Sequence, residues 1–310
     1  MRRSLPSSVF RVGDNVALAV AVILVTDLAL SLGDAAVKLV SASFVLWQIF
    51  VIRSAIAIPV LVGMMRARSR ILSLAPRRPG WVAIRSLMLT MMWVAYYASL
   101  PHLALGIAAA TYYTLPIFIT LFAALFIGDR IGPMGWCAVL AGFAGTLLIL
   151  KPDAVGFNAY ALLPLLAAVL YALAMTLTRT KCREEDPLIL SLALHLSFIA
   201  VGCLATLLIA LSGGPVAGPT DASFLFGTWT GMGTTEWFTM ALLAAAAIIG
   251  SVGAAVAYQA GPPAIVATFD FAYLAFAGLW GVLIFGESLD AASMTGIALI
   301  IAGGVLAVRR

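Results

Sequence analysis

Charged side chains stand inside long apolar stretches of this sequence, where a charge is costly. A charged residue at the centre of a membrane-spanning helix costs about 2.5–3.5 kcal/mol on insertion scales. The residues concerned are Asp27, Asp34, Lys38, Arg53 and Asp270. Such groups bind the charged parts of a solute, carry a coupling ion, or pair with one another. The sequence therefore predicts polar chemistry in the interior of an apolar protein.

The first apolar stretch carries its polar residues on one helical face. Asp27, Ser31, Asp34 and Lys38 follow one another at spacings of four, three and four residues, which is the period of a helix stripe. One interpretation is a polar seam facing a cavity, with Asp27 in ion coupling. The other is that Asp34 and Lys38, an i,i+4 pair of opposite charge, form a structural pair near the membrane surface.

Two further charges have two interpretations each. Arg53 can hold a substrate carboxylate, because a guanidinium binds it bidentately, or it can form a structural ion pair with Asp27 or Asp34. Asp270 can bind a substrate ammonium group or a proton, or accept a hydrogen bond from a hydroxyl group or from Arg53. The sequence leaves these alternatives open.

Aromatic residues with polar companions gather in four of the apolar stretches. Rings combined with hydroxyl and amide groups suit an amphipathic ligand, although an aromatic stripe also serves core packing or the membrane interface. The predicted substrate-binding residues are Trp93, Tyr96, Tyr97, Tyr112, Tyr113, Tyr258, Gln259, Asp270, Tyr273 and Trp280.

Three prolines are candidate hinges. Pro116 removes the helical hydrogen bond to the Tyr112 carbonyl, and Pro262 and Pro263 begin a later apolar stretch in a related place. A carbonyl released in a membrane needs another partner, which a cavity can supply. The alternative is a helix bend that serves packing alone.

The elements that position these residues are membrane helices. Hydrophobic residues make up 63% of the 310 residues and charged residues 10%, against about 25% charge in a soluble domain. Apolar runs near 20 residues recur along the chain and indicate an all-α, multi-pass membrane protein. The net charge of +5 does not indicate nucleic acid, because the arginines stand between the apolar runs. The predicted spans are 15–37, 43–65, 81–100, 104–127, 134–150, 159–179, 188–211, 236–257, 263–285 and 291–308.

Basic residues predict the direction of these ten spans. Arginines and lysines gather before the first span, in the connections after the second, fourth and sixth spans, and after the last span. The positive-inside rule then places both termini in the cytoplasm. The dipeptide Gly128-Asp129 follows the fourth span, and the similar dipeptide Gly286-Glu287 follows the ninth. An offset of five spans predicts two inverted five-helix repeats, residues 14–151 and 158–310, as in alternating-access transporters.

Enzyme chemistry finds no support in the motifs. The chain has two histidines and three cysteines without a zinc, phosphate-loop or nucleophile-elbow pattern. We therefore expect no catalytic residues, no metal and no cofactor, and transport driven by a solute or ion gradient.

The chain resembles the EamA-type exporters of the drug/metabolite transporter superfamily. The resemblance rests on the two five-span halves, the Gly-Asp and Gly-Glu turns, Pro116, and the Ala260-Gly261-Pro262 step. More narrowly, the chain is similar to YddG-type aromatic amino-acid exporters of bacterial inner membranes. The resemblance implies export of small metabolites from the cytoplasm through a site between the two halves.

The resulting prediction is a secondary transporter in the bacterial inner membrane that exports amphipathic solutes. Amino acids with aromatic or other apolar side chains are the favoured substrates, and the partners are this solute and the lipid bilayer, without nucleic acid. Drugs and sugar-phosphate-like solutes are alternatives, although the latter need more than one cavity arginine or lysine and we expect only Arg53. An intramembrane lipid-modifying enzyme and a non-transporting scaffold are the other classes. Oligomeric state is not predicted.

Overall fold

The described secondary-structure elements are all helices, joined by turns and short irregular segments. The computed structural model describes residues 15–41, 43–68, 75–127, 158–212, 223–261, 272–286 and 290–308, with single residues between 133 and 148 and residues 266, 269 and 270. The helices of the first half are α1 (Val16–Val40), α2 (Leu46–Arg68), α3 (Pro79–Ser99), α4 (Leu105–Tyr112) and α5 (Leu115–Ile127). Those of the second half are α6 (Leu162–Thr180), α7 (Pro187–Leu211), α8 (Ser223–Phe226), α9 (Thr234–Ala260), α10 (Ala272–Phe285) and α11 (Ala291–Val308).

Length and hydropathy suit these helices to a bilayer. Helices α1, α2, α6, α7 and α9 are long and apolar enough to cross a membrane, for which about 20 apolar residues are needed. Local signals set their ends. The Asn15 side chain accepts a hydrogen bond from the Leu18 N–H at 3.0 Å and caps the start of α1, and Asp186 does the same for Leu188 at the start of α7.

The helix bounds follow the predicted spans with one interruption. The fourth span divides into α4 and α5, with a break at Tyr113 and Thr114. Pro116 is the second residue of α5, so the predicted interruption near this proline is confirmed. The short helix α8 lies within a stretch that we expected to be a loop. The fifth span falls mainly outside the described residues. The ten-span count, the inverted repeats and the cytoplasmic termini stay predictions.

Helix α1 packs mainly against two helices from the other end of the chain. It contacts α9 and α10, which come from the other end of the chain, while α3 packs on α6 and α7 and α2 packs on α7. Helix α10 in turn contacts α4. The polar stripe of α1 is therefore buried toward the other helices, while Val25 and Leu28 on its opposite face are exposed.

Close approach of α1 and α9 depends on glycine. A Cβ atom added at Gly250 would overlap Leu30, and one at Gly253 would overlap Thr26. Small residues let helix backbones approach in membranes, where association depends on van der Waals packing. This contact presents the Asp27 and Asp34 side of α1 to the interior.

Candidate functional site

A narrow cavity of about 40 Å³ lies between α1, α2, α3, α6, α7 and α9. One stripe of α3 forms a wall of this cavity, at helical spacing: Arg85, Leu89, Met92, Trp93 and Tyr97. The stripe runs for about 18 Å at the helix rise of 1.5 Å per residue. The cavity is therefore elongated, with an arginine near one end and a tyrosine near the other.

The rest of the lining is mainly apolar, with few charges. Helix α9 contributes small residues, among them Ala246, Gly250 and Ala254, and α7 contributes Leu194 and Phe198. The charged residues of the lining are Asp34, Arg53 and Arg85. Predominantly apolar walls with a few convergent polar groups are typical of small-molecule sites.

Asp34 is held from two other helices. The Tyr97 hydroxyl on α3 donates to Asp34 Oδ1 at 3.0 Å, and the Tyr273 hydroxyl on α10 donates to Asp34 Oδ2. The carboxyl group is 1% exposed. Asp34 thus joins α1, α3 and α10 at one point.

Arg53 reaches Asp34 through a tyrosine. Its Nη1 donates to the Tyr97 hydroxyl at 3.2 Å, while that hydroxyl donates onward to Asp34. The rings of Phe50 and Phe198 lie 4.8 and 4.7 Å from the guanidinium carbon, in cation–π range. Arg53 and Asp34 are therefore paired indirectly, through the Tyr97 hydroxyl, and not by a direct ion pair. Arg53 Nε has no hydrogen-bond partner in the described part of the chain.

Asp27 has a different environment from Asp34. It is 1% exposed, and no described donor reaches its carboxyl oxygens, so its hydrogen bonding depends on a proton shared with the neighbouring carboxyl group of Asp270. The carboxyl group of Asp270 is close enough to interact with it electrostatically. Asp270 itself accepts a hydrogen bond from the Tyr258 hydroxyl at 2.8 Å. Two buried carboxyl groups therefore face each other between helix α1 and the segment that precedes α10.

A cluster of tyrosines packs beside the cavity. The hydroxyls of Tyr96 and Tyr273 are 3.1 Å apart, and the rings of Tyr113 and Tyr273 stack with centroids 4.9 Å apart. Tyr112 contacts Tyr96, and Tyr171, which also lines the cavity, contacts Tyr258. These side chains are buried and make ring-to-ring contacts typical of a packed core.

The structure divides the predicted substrate-binding residues into three groups. Trp93 and Tyr97 line the cavity. Others belong to the adjacent tyrosine cluster or to its acidic neighbour; these are Tyr96, Tyr112, Tyr113, Tyr258, Asp270 and Tyr273. The third group, Gln259 and Trp280, lies apart from both.

Gln259, Trp280 and Lys38 bind other parts of the protein. Gln259 Nε2 donates to the carbonyls of Cys182 and Glu185, between α6 and α7, at 3.0 and 2.9 Å. Trp280 Nε1 donates to the Ser31 hydroxyl at 3.1 Å. Lys38 Nζ donates to the Leu103 carbonyl at 2.7 Å and lies over the Phe285 ring. Each of these contacts fastens one helix to a distant segment.

Arg85 was missed at the sequence level. It is 1% exposed and lines the cavity, so the expectation of a single cavity arginine is wrong. Its Nε donates to the Thr178 hydroxyl on α6 at 2.6 Å. The sequence did indicate Arg85, because it stands inside the predicted span 81–100, and a charged side chain within a span is costly, as for Arg53.

The structure describes only part of what was predicted for the hinge prolines and for metal binding. Pro262 and Pro263 lie outside the described residues, and the hinge role of Pro116 stays a prediction. No group of three or more His, Cys, Asp or Glu side chains that could hold a metal occurs within the described ranges. His195 is buried, and its Nδ1 lies 3.1 Å from the Ser54 hydroxyl, between α7 and α2.

The chain is similar to several proteins that are named as transporters or exporters. Residues 17–151 match the EamA-like transporter family. The riboflavin transporter of Rhizobium johnstonii is 32% identical over 220 residues, which cover 70% of this chain and 65% of that protein, just under two thirds of its length. The pseudopaline exporter CntI of Pseudomonas aeruginosa is 27% identical over 279 residues, or 90% of this chain and 89% of that protein.

A solved structure has the same fold. A protein crystal structure superposes on 95% of this chain and 98% of its own, with a TM-score of 0.64 and 20% sequence identity. At this identity the likeness concerns the fold alone.

Proposed function

We propose that this chain, a membrane transporter of the drug/metabolite transporter superfamily by its EamA-like match and its transporter relatives, exports small amphipathic metabolites from the bacterial cytoplasm. The observation that carries the proposal is the elongated cavity enclosed by helices from both halves of the chain. It combines apolar walls, two aromatic side chains on α3 and three charged groups. This composition suits a solute with an apolar body and a charged end.

The cavity chemistry assigns roles to its residues. Trp93 and Tyr97 offer ring faces to the apolar part of the solute. Arg53 keeps its Nε–H without a partner in the described chain, so it can donate to an oxygen atom of the solute. Asp34 orients Arg53 through Tyr97 and thereby fixes where that donor points.

Transport follows alternating access in this proposal. Ten helices form two inverted repeats, residues 14–151 and 158–310, with both termini in the cytoplasm, and the two halves rock about the cavity. The break between α4 and α5 at Tyr113 and Thr114 supports this arrangement, because interrupted helices accompany the binding sites of such transporters. Pro116, with Pro262 and Pro263, would serve as the hinges.

Asp27 and Asp270 form the coupling site of this proposal. A buried carboxyl group without a hydrogen-bond donor is costly, and Asp27 has none in the described chain. A proton or another monovalent cation taken up between the two carboxyl groups removes the repulsion between them. Intramembrane acidic residues of this kind mark ion pathways.

Amino acids with aromatic or other apolar side chains are the proposed substrates. Trp93 and Tyr97 suit their side chains, and Arg53 suits their carboxylate group. Riboflavin is the alternative, favoured by the similarity to a protein of that transport function. Both solutes carry an apolar part that fits the α3 wall, so transport measurements have to compare them directly.

Flux through reconstituted protein tests the proposal. Liposomes that contain the purified protein are loaded with labelled phenylalanine, methionine or riboflavin. Efflux of the solute is followed with and without an imposed pH gradient. We expect saturable flux of phenylalanine that falls about tenfold or more in Tyr97→Phe, which loses the hydroxyl bridging Arg53 and Asp34. Tyr160→Phe is the matched control, since Tyr160 stacks on His102 away from the cavity.

The outcomes separate the alternatives. Saturable riboflavin flux without phenylalanine flux would replace the proposed substrate and leave the transporter class intact. Absence of flux for all three solutes under every gradient would contradict export of this class of solute.

A further inference from the structure

Two buried arginines of the same cavity differ in their charge balance. Arg53 is linked through the Tyr97 hydroxyl to the carboxylate of Asp34. Arg85 donates from Nε to a neutral hydroxyl, that of Thr178. Among the described residues no carboxylate pairs with Arg85, whereas Arg77 on the surface pairs with Glu184.

Arg85 also keeps a donor without an acceptor. Its Nη1 has no hydrogen-bond partner within the described ranges, although the residue is 1% exposed and lines the cavity. A buried charge is normally paired and hydrogen-bonded, because desolvation is costly. Every buried polar atom left without a partner calls for an explanation, such as a ligand that binds there.

The surroundings of Arg85 set the shape of that ligand. Thr178 fixes the guanidinium at one end of the α3 stripe, and Leu89, Met92 and Trp93 continue the stripe along the cavity. A ligand whose oxyanion meets Arg85 therefore lays its remaining atoms along apolar and aromatic side chains. The two arginines and Asp34 give the cavity lining a formal charge of +1, which an anionic solute balances.

We infer that Arg85 is a binding residue for the acidic group of the transported solute, and that the solute class is an amphipathic organic anion such as an aromatic carboxylate. This inference rests on the proposed export of small amphipathic metabolites, and within that class it favours solutes with a net negative charge over the zwitterionic amino acids proposed above. Arg85 holds the carboxylate through its Nη1–H, and the ring of the solute lies toward Trp93. A zwitterionic amino acid would leave the net charge of the cavity unbalanced.

A matched pair of ligands tests the inference in the intact protein. Indole-3-acetate and indole-3-acetamide have nearly the same shape, and only the first carries a negative charge. Their affinities are measured by isothermal titration calorimetry with full-length protein in nanodiscs. We expect the wild type to bind the acetate at least tenfold more tightly, since charge-assisted hydrogen bonds are about twice as strong as neutral ones.

Substitutions then assign the preference to one residue. Arg85→Gln keeps a donor for Thr178 and removes the charge, so it should bind the acetate about tenfold or more weakly while its acetamide affinity changes little. Arg85→Lys should restore part of the preference. Arg77→Gln, at an exposed arginine of the same region, is the control and should retain the wild-type ratio.

Each outcome decides the inference. Equal affinity of wild-type protein for the two ligands, or no binding of either, overturns it without any variant having to fold. An unchanged ratio in Arg85→Gln also overturns it. Because the measurement is of binding, an anion preference without flux in liposomes would contradict the proposed function and leave the Arg85 site standing. Flux of neutral solutes, together with equal affinity for the two indole ligands, would contradict the Arg85 inference and leave the proposed transport function standing.

Discussion

Asp27 and Asp34 lie on one face of α1, about two turns apart, yet their surroundings differ. Both are 1% exposed. The two oxygens of Asp34 accept hydrogen bonds from Tyr97 and Tyr273, whereas those of Asp27 meet no described hydroxyl or N–H donor and face the carboxyl group of Asp270. The same residue type, on the same helix face and at the same burial, thus occupies a satisfied site and an unsatisfied one.

The difference assigns the two carboxyl groups to different tasks. Asp34 fastens α1 to α3 and α10, so its removal should disturb the fold. Asp27 is kept near α9 by packing of its neighbour Thr26 against Gly253, and it faces another carboxyl group, that of Asp270. A buried carboxyl group that lacks a donor and lies next to a second carboxyl group is a candidate for ion binding. The following predictions test this division by the size of the stability change.

Loss of the Asp34 carboxylate should have the largest effect. Asp34→Ala leaves the buried Tyr97 hydroxyl without its acceptor and the Arg53 charge without its counter-charge, which costs about 3–5 kcal/mol for a broken buried pair. Thermal unfolding of the purified protein in detergent, with denaturant titration, measures the change. The surface variant Glu184→Ala should change stability by about 1 kcal/mol or less, and equal losses in both variants would contradict a structural role for Asp34.

Loss of one hydroxyl of this network should have a smaller effect. Tyr273→Phe keeps the ring stacked on Tyr113 and removes the donor to Asp34 Oδ2. We expect a loss of about 1.5–3 kcal/mol, the range for hydrogen bonds to charged groups. The same unfolding measurement applies. Tyr160→Phe should have little effect, and a Tyr273→Phe protein as stable as that control would show that Asp34 does not depend on Tyr273.

The Asp27 side of α1 should respond to packing instead. Gly253→Ala places a Cβ atom against Thr26, and overpacking costs about 1–3 kcal/mol, partly offset by the higher helix propensity of alanine. A net loss of about 1–2 kcal/mol is therefore expected. Gly278→Ala in α10 has open space around its Cβ position and should be neutral or stabilising; matching effects at both glycines would disprove the close contact.

Neutralising Asp27 should have the smallest effect on stability and a large effect on transport. Asp27→Asn keeps the size of the side chain and gives Asp270 an amide donor in place of the shared proton, so unfolding should change by about 1 kcal/mol or less. Flux driven by a pH gradient in liposomes should fall about tenfold or more, while exchange without a gradient continues. A variant with wild-type flux and wild-type dependence on the gradient would remove Asp27 from the coupling site.

Much of the architecture was accessible from the sequence. The spacing of Asp27, Ser31 and Asp34 predicted one face of one helix, and all three side chains are buried in α1. The break near Pro116 was also predictable, because proline lacks a backbone donor wherever it stands. Helix bounds followed from the apolar runs, since a span must match the thickness of the bilayer.

The composition of the cavity was less accessible. Tyr96 and Tyr97 are adjacent in sequence and have the same chemistry, yet only Tyr97 lines the cavity. Arg85 was overlooked although its burial cost equals that of Arg53. Which aromatic residues pack together and which border a cavity depends on how several helices meet, and no local pattern of residues encodes that arrangement.

The sequence by itself determined which residues share a helix face and which charges are placed in apolar surroundings, because helical period and hydropathy are local properties. Only the tertiary structure decided which of those charges find partners. Asp34 meets Tyr97 from 63 positions away and Tyr273 from 239 positions away. Hydrogen bonds act over about 3 Å, so the packing of distant helices separates the satisfied Asp34 from Asp27.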